Sequence, residues 1–161
     1  MKISWNWLNE LLPLNLSADD AAMLLTDIGL EVEGVYPYSN FEGGLAGLLV
    51  GEVISCEKHP DADKLKVTQV DIGTGELLNI VCGAPNAREG LFVGCALVGT
   101  DFGGGFKIKA AKIRGEASEG MLCSEKELGM SEEHNGILEV QGNPPLGVPL
   151  SKYLRVADTI L

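Results

Sequence analysis

From Leu48 to Val140 the apolar residues come in short runs, each cut off by glycines or a proline turn, as in "GTGE", "CGAPNAREG" and "DFGGG". Runs this short cannot supply the ten or more residues of unbroken 3.6-residue periodicity that a buried helix needs, whereas four to eight suffice for a strand. Candidate strands are 48–56, 65–72, 77–82, 95–98, 106–114 and 137–140. In 65–72, Leu65 and Val67 are out of phase with Val70 and Ile72. A one-residue bulge in that strand would reconcile the two halves, and bulges let a strand coil around a small barrel. The predicted fold class is α+β, mainly β, with a compact five-stranded barrel of the OB type, an architecture that often binds oligonucleotides but does not establish that function.

The front of the chain has a different texture. Ser4 is placed to cap a short helix that Pro13 ends, and Ser17 with Asp20 three residues on makes a capping-box pattern opening "ADDAAMLLTDI". Met23, Leu24 and Ile28, with Ala21 and Leu25 beside them, form an apolar stripe predicted to pack on neighbouring elements, and Gly29 is a natural stop. "LEVEGVYPY" reads as a strand through Leu30, Val32 and Val35, and "NFEGGLAG" as a glycine-rich junction.

A chain of 161 residues with 45% hydrophobic content can bury a real core as one ordinary domain or two small ones. Asn6, Asn9, Glu10 and Pro13 interrupt any signal-peptide core, and no apolar run approaches membrane-spanning length, so the expected setting is cytoplasmic with no membrane partner. Cys56, Cys82, Cys95 and Cys123 lie far apart without a C-x-x-C pair and read as free, mostly buried thiols. No motif sets His59 or His134 beside Cys123, so no cysteine nucleophile is expected.

The net charge of −11 excludes a uniformly basic nucleic-acid binder, because a polyanion is repelled by an acidic surface. The charge is unevenly spread, however. Residues 58–114 hold eight bases against six acids, whereas 1–57 hold one base against nine acids. A local basic patch inside an acidic chain is therefore allowed.

Three runs carry candidate chemistry. In "EKHPDADKL", His59, Asp61 and Asp63 alternate as metal ligands or an acid–base centre would, and a metal-dependent hydrolase is the enzyme reading this suggests. The structural alternative is a turn. Pro60 holds His59 out of a helix, the two aspartates accept backbone N–H groups, and Lys64 leads into the next strand. The only second imidazole is His134, and no metal site is expected. In "CGAPNAREG", Gly83 and Pro85 fix a turn, Asn86 offers an amide and Arg88 a charge. In "FKIKAAKIRG", Lys107 and Lys109 alternate with Phe106 and Ile108, predicted to face inward, and Lys112 and Arg114 repeat the spacing around Ile113. Four cations along a curved strand suit the tracking of an RNA backbone, while lysines on an outer strand face also deter edge pairing. Aromatic residues are few in this region, so phosphate and shape contacts are expected to outweigh base stacking. No glycine-rich phosphate loop opens a helix, and none of the usual nucleotide fingerprints is present.

Taken in order, "HPDADKLKVTQVDIG", "IVCGAPNAREG" and "FKIKAAKIRGEASEGMLCSEKELG" resemble the successive signatures of the tRNA-binding OB domain shared by several aminoacyl-tRNA synthetases and freestanding tRNA-binding proteins. "SWNWLNELLPLNLSADDAAMLLTDIGLEVEGV" further resembles the start of bacterial phenylalanyl-tRNA synthetase β subunits, in which this domain is inserted into a small helical and β domain. "LGVPLSKYL" and "DTIL" fit the resumption of that domain. The resemblance implies divisions at 1–40, 41–149 and 150–161, the first and last belonging together. It implies that the chain is a fragment without catalysis of its own, with ATP and Mg used by the full synthetase and with an α subunit as partner in an α2β2 assembly. It places RNA-facing candidates at Lys64, Asn86, Arg88, Lys107, Lys109, Lys112, Arg114, Ser118 and Met121, with tRNA the expected partner. Glu116 departs from the family, which more often has an apolar residue there. A freestanding OB-fold tRNA-binding or chaperone-like protein is the alternative, though such a protein would not need the front section.

Overall fold

The structure, a computed structural model, describes residues 1–39, 45–103, 105–132 and 135–161. In chain order its elements are α1 (Trp5–Leu11), α2 (Ala18–Asp27), β1 (Tyr36–Ser39), β2 (Leu48–Lys58), β3 (Lys66–Asp71), β4 (Leu77–Cys82), β5 (Phe92–Leu97), β6 (Ala111–Ile113), β7 (Glu116–Ser118), β8 (Gly120–Leu122), α3 (Leu150–Tyr153) and β9 (Ala157–Ile160). They fall into two compact units, Met1–Asn40 with Arg155–Leu161, and Phe41–Leu154.

In the first unit both helices begin where a side chain takes up orphan backbone N–H groups. Ser4 Oγ accepts from Trp7 N at 3.0 Å, and Ser17 with Asp20 forms the reciprocal capping box. Ser4 also donates to the Asp158 carboxylate, which accepts from Asn6 N at 3.0 Å. Partial burial raises the Asp158 pKa, but the bonds from Ser4, Asn6 and Thr159 outweigh it and leave the group lowered. β9 pairs antiparallel with β1, while Ile3 and Leu161 exchange backbone bonds of 3.0 and 2.9 Å.

Two expectations fail in this unit. Residues 30–35 are not a strand; the ladder starts only at Tyr36, where the partner β9 lies opposite. Met23, Leu24 and Ile28 are 62%, 51% and 67% exposed; of the predicted stripe Ala21 is buried, together with Ala22 outside it. Among the described residues of this unit, only those two alanines and Leu161 are buried apolar side chains, so no second layer covers the stripe.

The second unit is a nearly closed barrel of five antiparallel strands in the order β4-β3-β2-β5-β8. β2, β3 and β4 form a meander, β5 returns beside β2, and β8 comes back to face β4, the strand order of an OB fold. The bulge lies on β2, not β3. Val53 pairs with Val70 and Ser55 with Gln69, which leaves Ile54 as the extra residue. Thr68, Val70 and Ile72 therefore share the inner face without a break, and the buried Thr68 hydroxyl donates to Ile80 O at 2.8 Å.

Val53, Val70, Ile80, Val93 and Cys95 are fully buried at the centre of the core. β5 starts at Phe92, three residues before the predicted start, and 137–140 is not a ladder strand but is held by Leu138 N to Cys123 O and Val140 N to Phe92 O, both 2.8 Å. Leu150 of α3 packs over Gly94, where a Cβ would stand 2.9 Å from Leu150 Cδ2. That contact keeps residues 150–154 with the barrel unit; the sequence had put the return to the front unit at residue 150.

Candidate nucleic-acid interface

The run "EKHPDADKL" makes the tight connection from β2 to β3, closed by His59 N to Leu65 O and Leu65 N to Ala62 O, both 3.0 Å. His59 is 4% exposed. Its Nδ1 accepts from Asp61 N at 3.0 Å, which sets the ring proton on Nε2, and Nε2 donates to Ile113 O at 3.0 Å. Both ring nitrogens are thus committed to backbone groups, so neither is open to a metal. Among the described residues Asp61 enters as a backbone donor, with the imidazole as its acceptor, and not as the predicted carboxylate acceptor. Among the described residues no group of three or more His, Cys, Asp or Glu is arranged to hold a metal ion. His134 and Glu133 lie outside the described residues.

The His59–Ile113 bond ties the turn bearing Lys64 to the hairpin β6–β7, which bears Lys112 and Arg114. Arg114 and Gly115 form its two-residue tip with φ of 47° and 98°, the sign pattern of a type I′ turn. Arginine in that left-handed region costs about 1 kcal/mol that an asparagine would largely avoid. Residues 106–114 are not one strand. Asp101 Oδ1 accepts from Gly103 N at 2.8 Å and Phe102 N donates to Phe106 O at 2.9 Å, which pairs 101–103 with 105–107 in a separate small hairpin. Ile108 is buried as expected, but Phe106 is 53% exposed because this turn lifts it off the strand path. Lys64, Lys107, Lys109, Lys112 and Arg114 are all exposed, and none belongs to an ion pair among the described residues.

Other candidates are committed elsewhere. Asn86 Nδ2 donates to Ile137 O and Glu139 Oε1 at 2.9 and 3.0 Å, while its Oδ1 accepts from Ile137 N at 2.9 Å. Arg88 forks onto Glu139 with two bonds of 2.8 Å. Lys66, not a sequence candidate, donates to Pro85 O at 3.1 Å and Ala87 O at 2.6 Å, so it fastens the same loop. The "GAPNAREG" loop is therefore stapled to residues 137–139 and to β3.

The bonds from Arg88 and then Asn86 hold the Glu139 carboxyl down at about 2, against 4.5 ordinarily. A lowered carboxyl contributes stability above its unfolded pKa, and that contribution is lost as pH falls through the folded value. The Glu139→Gln variant should accordingly lose less stability than wild type between pH 4.5 and about 2 in urea titrations, because it has no carboxylate to protonate.

Ser118 is buried and stitches the open edges of the barrel. Its Oγ accepts from Val81 N at 3.1 Å across from β4 and donates to Gly120 O at 3.2 Å. Glu119 N to Asn79 O at 2.8 Å continues the seam. Where β4 and β8 diverge, an open cavity of about 330 Å³ is lined by Gly83, Pro85, Met121, Ser124, Glu127 and Gly136 among others. The cysteines stay as free thiols, as the sequence indicated. Burial pushes Cys95 up to about 12 and raises Cys82 and Cys123 as well, which favours the neutral thiol at these three positions.

Residues 48–149 match the family described as "Putative tRNA binding domain". Over all 161 residues the chain is 50% identical to the phenylalanine–tRNA ligase β subunit of Dickeya dadantii and 52% identical to that of Photorhabdus laumondii, covering 20% of each. It therefore spans about a fifth of the length of these relatives. The crystal structure of a MetRS related protein from Pyrococcus horikoshii is similar with a TM-score of 0.48 at 26% identity, covering 64% of this chain and 87% of that one. The chain belongs to the tRNA-binding domain family, in the form that matches the N-terminal region of phenylalanine–tRNA ligase β subunits.

Proposed function

We propose that this chain serves as the tRNA-contacting N-terminal region of a phenylalanine–tRNA ligase β subunit. The observation that carries the reading is the set of exposed cations without carboxylate partners among the described residues, Lys64, Lys107, Lys109, Lys112 and Arg114, in a chain whose net charge is −11. Surface lysines kept only for solubility gain nothing from a strained backbone, yet Arg114 holds a left-handed φ of 47° at a hairpin tip. These side chains contact phosphates of the folded tRNA with little reading of base identity. Asn86, Arg88 and Ser118 brace the barrel's loops and edges, and Met121 lines the cavity where β4 and β8 diverge.

The relatives' name and the chain's one-fifth share of their length support the wider assignment. In it, attachment of phenylalanine with ATP and Mg, and pairing with an α subunit in an α2β2 assembly, belong to the remainder of the enzyme. This region itself is non-catalytic and works in the cytoplasm. No helix among the described residues is long and apolar enough to cross a membrane. The uncovered α2 stripe also favours a piece of a larger protein over a freestanding binder.

The test is tRNA binding by gel shift across a salt series. Wild type should bind weakly and lose affinity steeply as salt rises, while the Lys107→Ala/Lys109→Ala/Lys112→Ala variant should bind with a logarithmic salt slope shallower by about 2–3. Identical curves for the two would remove the assignment.

A further inference from the structure

We propose that Phe102 and Phe106 form a stacking platform for one unpaired RNA base, with Lys107 and Lys109 holding the adjoining phosphates; this rests on the RNA-binding reading above. Phe106 is 53% exposed in a hairpin whose other described residues, Phe102 apart, are Asp101, Gly103, Gly105 and Lys107. The half-buried Phe102 lies against it, with ring centroids 5.6 Å apart and planes inclined at 36°. The hairpin fixes both rings through Phe102 N to Phe106 O at 2.9 Å and Phe106 N to Gly103 O at 3.0 Å.

Just beyond it, the buried Ile108 is bonded on both sides, to Thr100 O and from Gly99 N, each at 2.8 Å. A ring held in this way loses little freedom when a base stacks on it. The exposed Lys107 and Lys109 lie one and three residues after Phe106, and Asp101, which forms a β-bridge with Lys107 across the hairpin, has its carboxylate turned onto Gly103 N at 2.8 Å. An aromatic face with flanking cations is the combination that binds single-stranded nucleic acid, since every base has a π-face and every link a phosphate. A paired helix has its bases stacked internally and offers none to such a platform.

The experiment titrates the full chain with a single-stranded RNA oligonucleotide carrying 2-aminopurine, and with the same strand in a duplex. Wild type should quench the probe in the single strand and not in the duplex. Phe106→Leu, which keeps an apolar side chain, should weaken single-strand binding roughly tenfold with an unchanged salt slope, and Phe106→Trp should restore both affinity and quenching. Lys107→Ala/Lys109→Ala should instead flatten the salt slope by about 1–2. If the lysine variant weakens binding and Phe106→Leu binds and quenches like wild type, the platform is overturned and the RNA reading stands. If wild type shows no salt-dependent RNA binding at all, both are overturned and the aromatic pair is an apolar contact for a protein.

Discussion

Replacing Gly120 with alanine is expected to destabilise the barrel by about 1–3 kcal/mol, the range for forcing volume into a close-packed interior. A Cβ there would stand 2.7 Å from Ala96 O, a backbone atom of the paired strand β5, and 3.2 Å from Ile80 Cδ1. Backbone cannot rotate away as a side chain can, so β8 itself must move. Its movement pulls on Gly120 O, which accepts from Ser118 Oγ, and Ser118 Oγ is also the partner of Val81 N across the seam. One methyl group thus loosens both edges of β8. Gly75→Ala is the contrast, since nothing lies within 4 Å of its Cβ and only its φ of +88° opposes the change. That variant should lose about 1 kcal/mol. Urea unfolding of both variants checks the ranking; a Gly120→Ala protein within 0.5 kcal/mol of wild type would mean β5 and β8 are not this close.

How much of this was readable from sequence depended on how far apart the interacting residues lie. Helix starts were legible because Ser4 and the Ser17–Asp20 pair cap groups only three residues away. The barrel was legible from strand-length runs, but the side of the bulge was not. A phase slip between Val67 and Val70 suggested an extra residue in β3, whereas the extra residue is Ile54 on β2 and β3 runs unbroken with Thr68 inside. A polar threonine masked that phase. The cations of the site were legible as charges, and so was the exposure of Lys107 and Lys109. The bonds that commit Asn86 and Arg88 reach residues 137 and 139, 51 positions on, and no local pattern announces them. Phe106 was placed inward by strand alternation, which the Asp101–Gly103 turn cancels one turn earlier. Met23, Leu24 and Ile28 show the opposite limit, since helical spacing groups apolar residues but says nothing about whether a layer is present to cover them.

Removal of the His59 ring should be the most costly change near the candidate interface. His59→Ala deletes a 4% exposed ring and both its bonds, and leaves Asp61 N and Ile113 O to find water, an expected loss of about 2–4 kcal/mol. Two further variants separate the bonds. The amide oxygen of His59→Asn can take the place of Nδ1 and accept from Asp61 N, as an Asx-turn does, but cannot reach Ile113. The longer His59→Gln can present an N–H near the position of Nε2 and keep the link to Ile113 while the turn bond is lost. Amide hydrogen exchange in 111–118 should therefore speed up in the alanine and asparagine variants and stay close to wild type in the glutamine variant. If tRNA contacts Lys64 together with Lys112 and Arg114, binding should follow the same order, with His59→Gln ahead of His59→Asn at equal salt. Exchange that is equally fast in Asn and Gln variants would mean that the ring fills space and that its bond to Ile113 does not hold the hairpin.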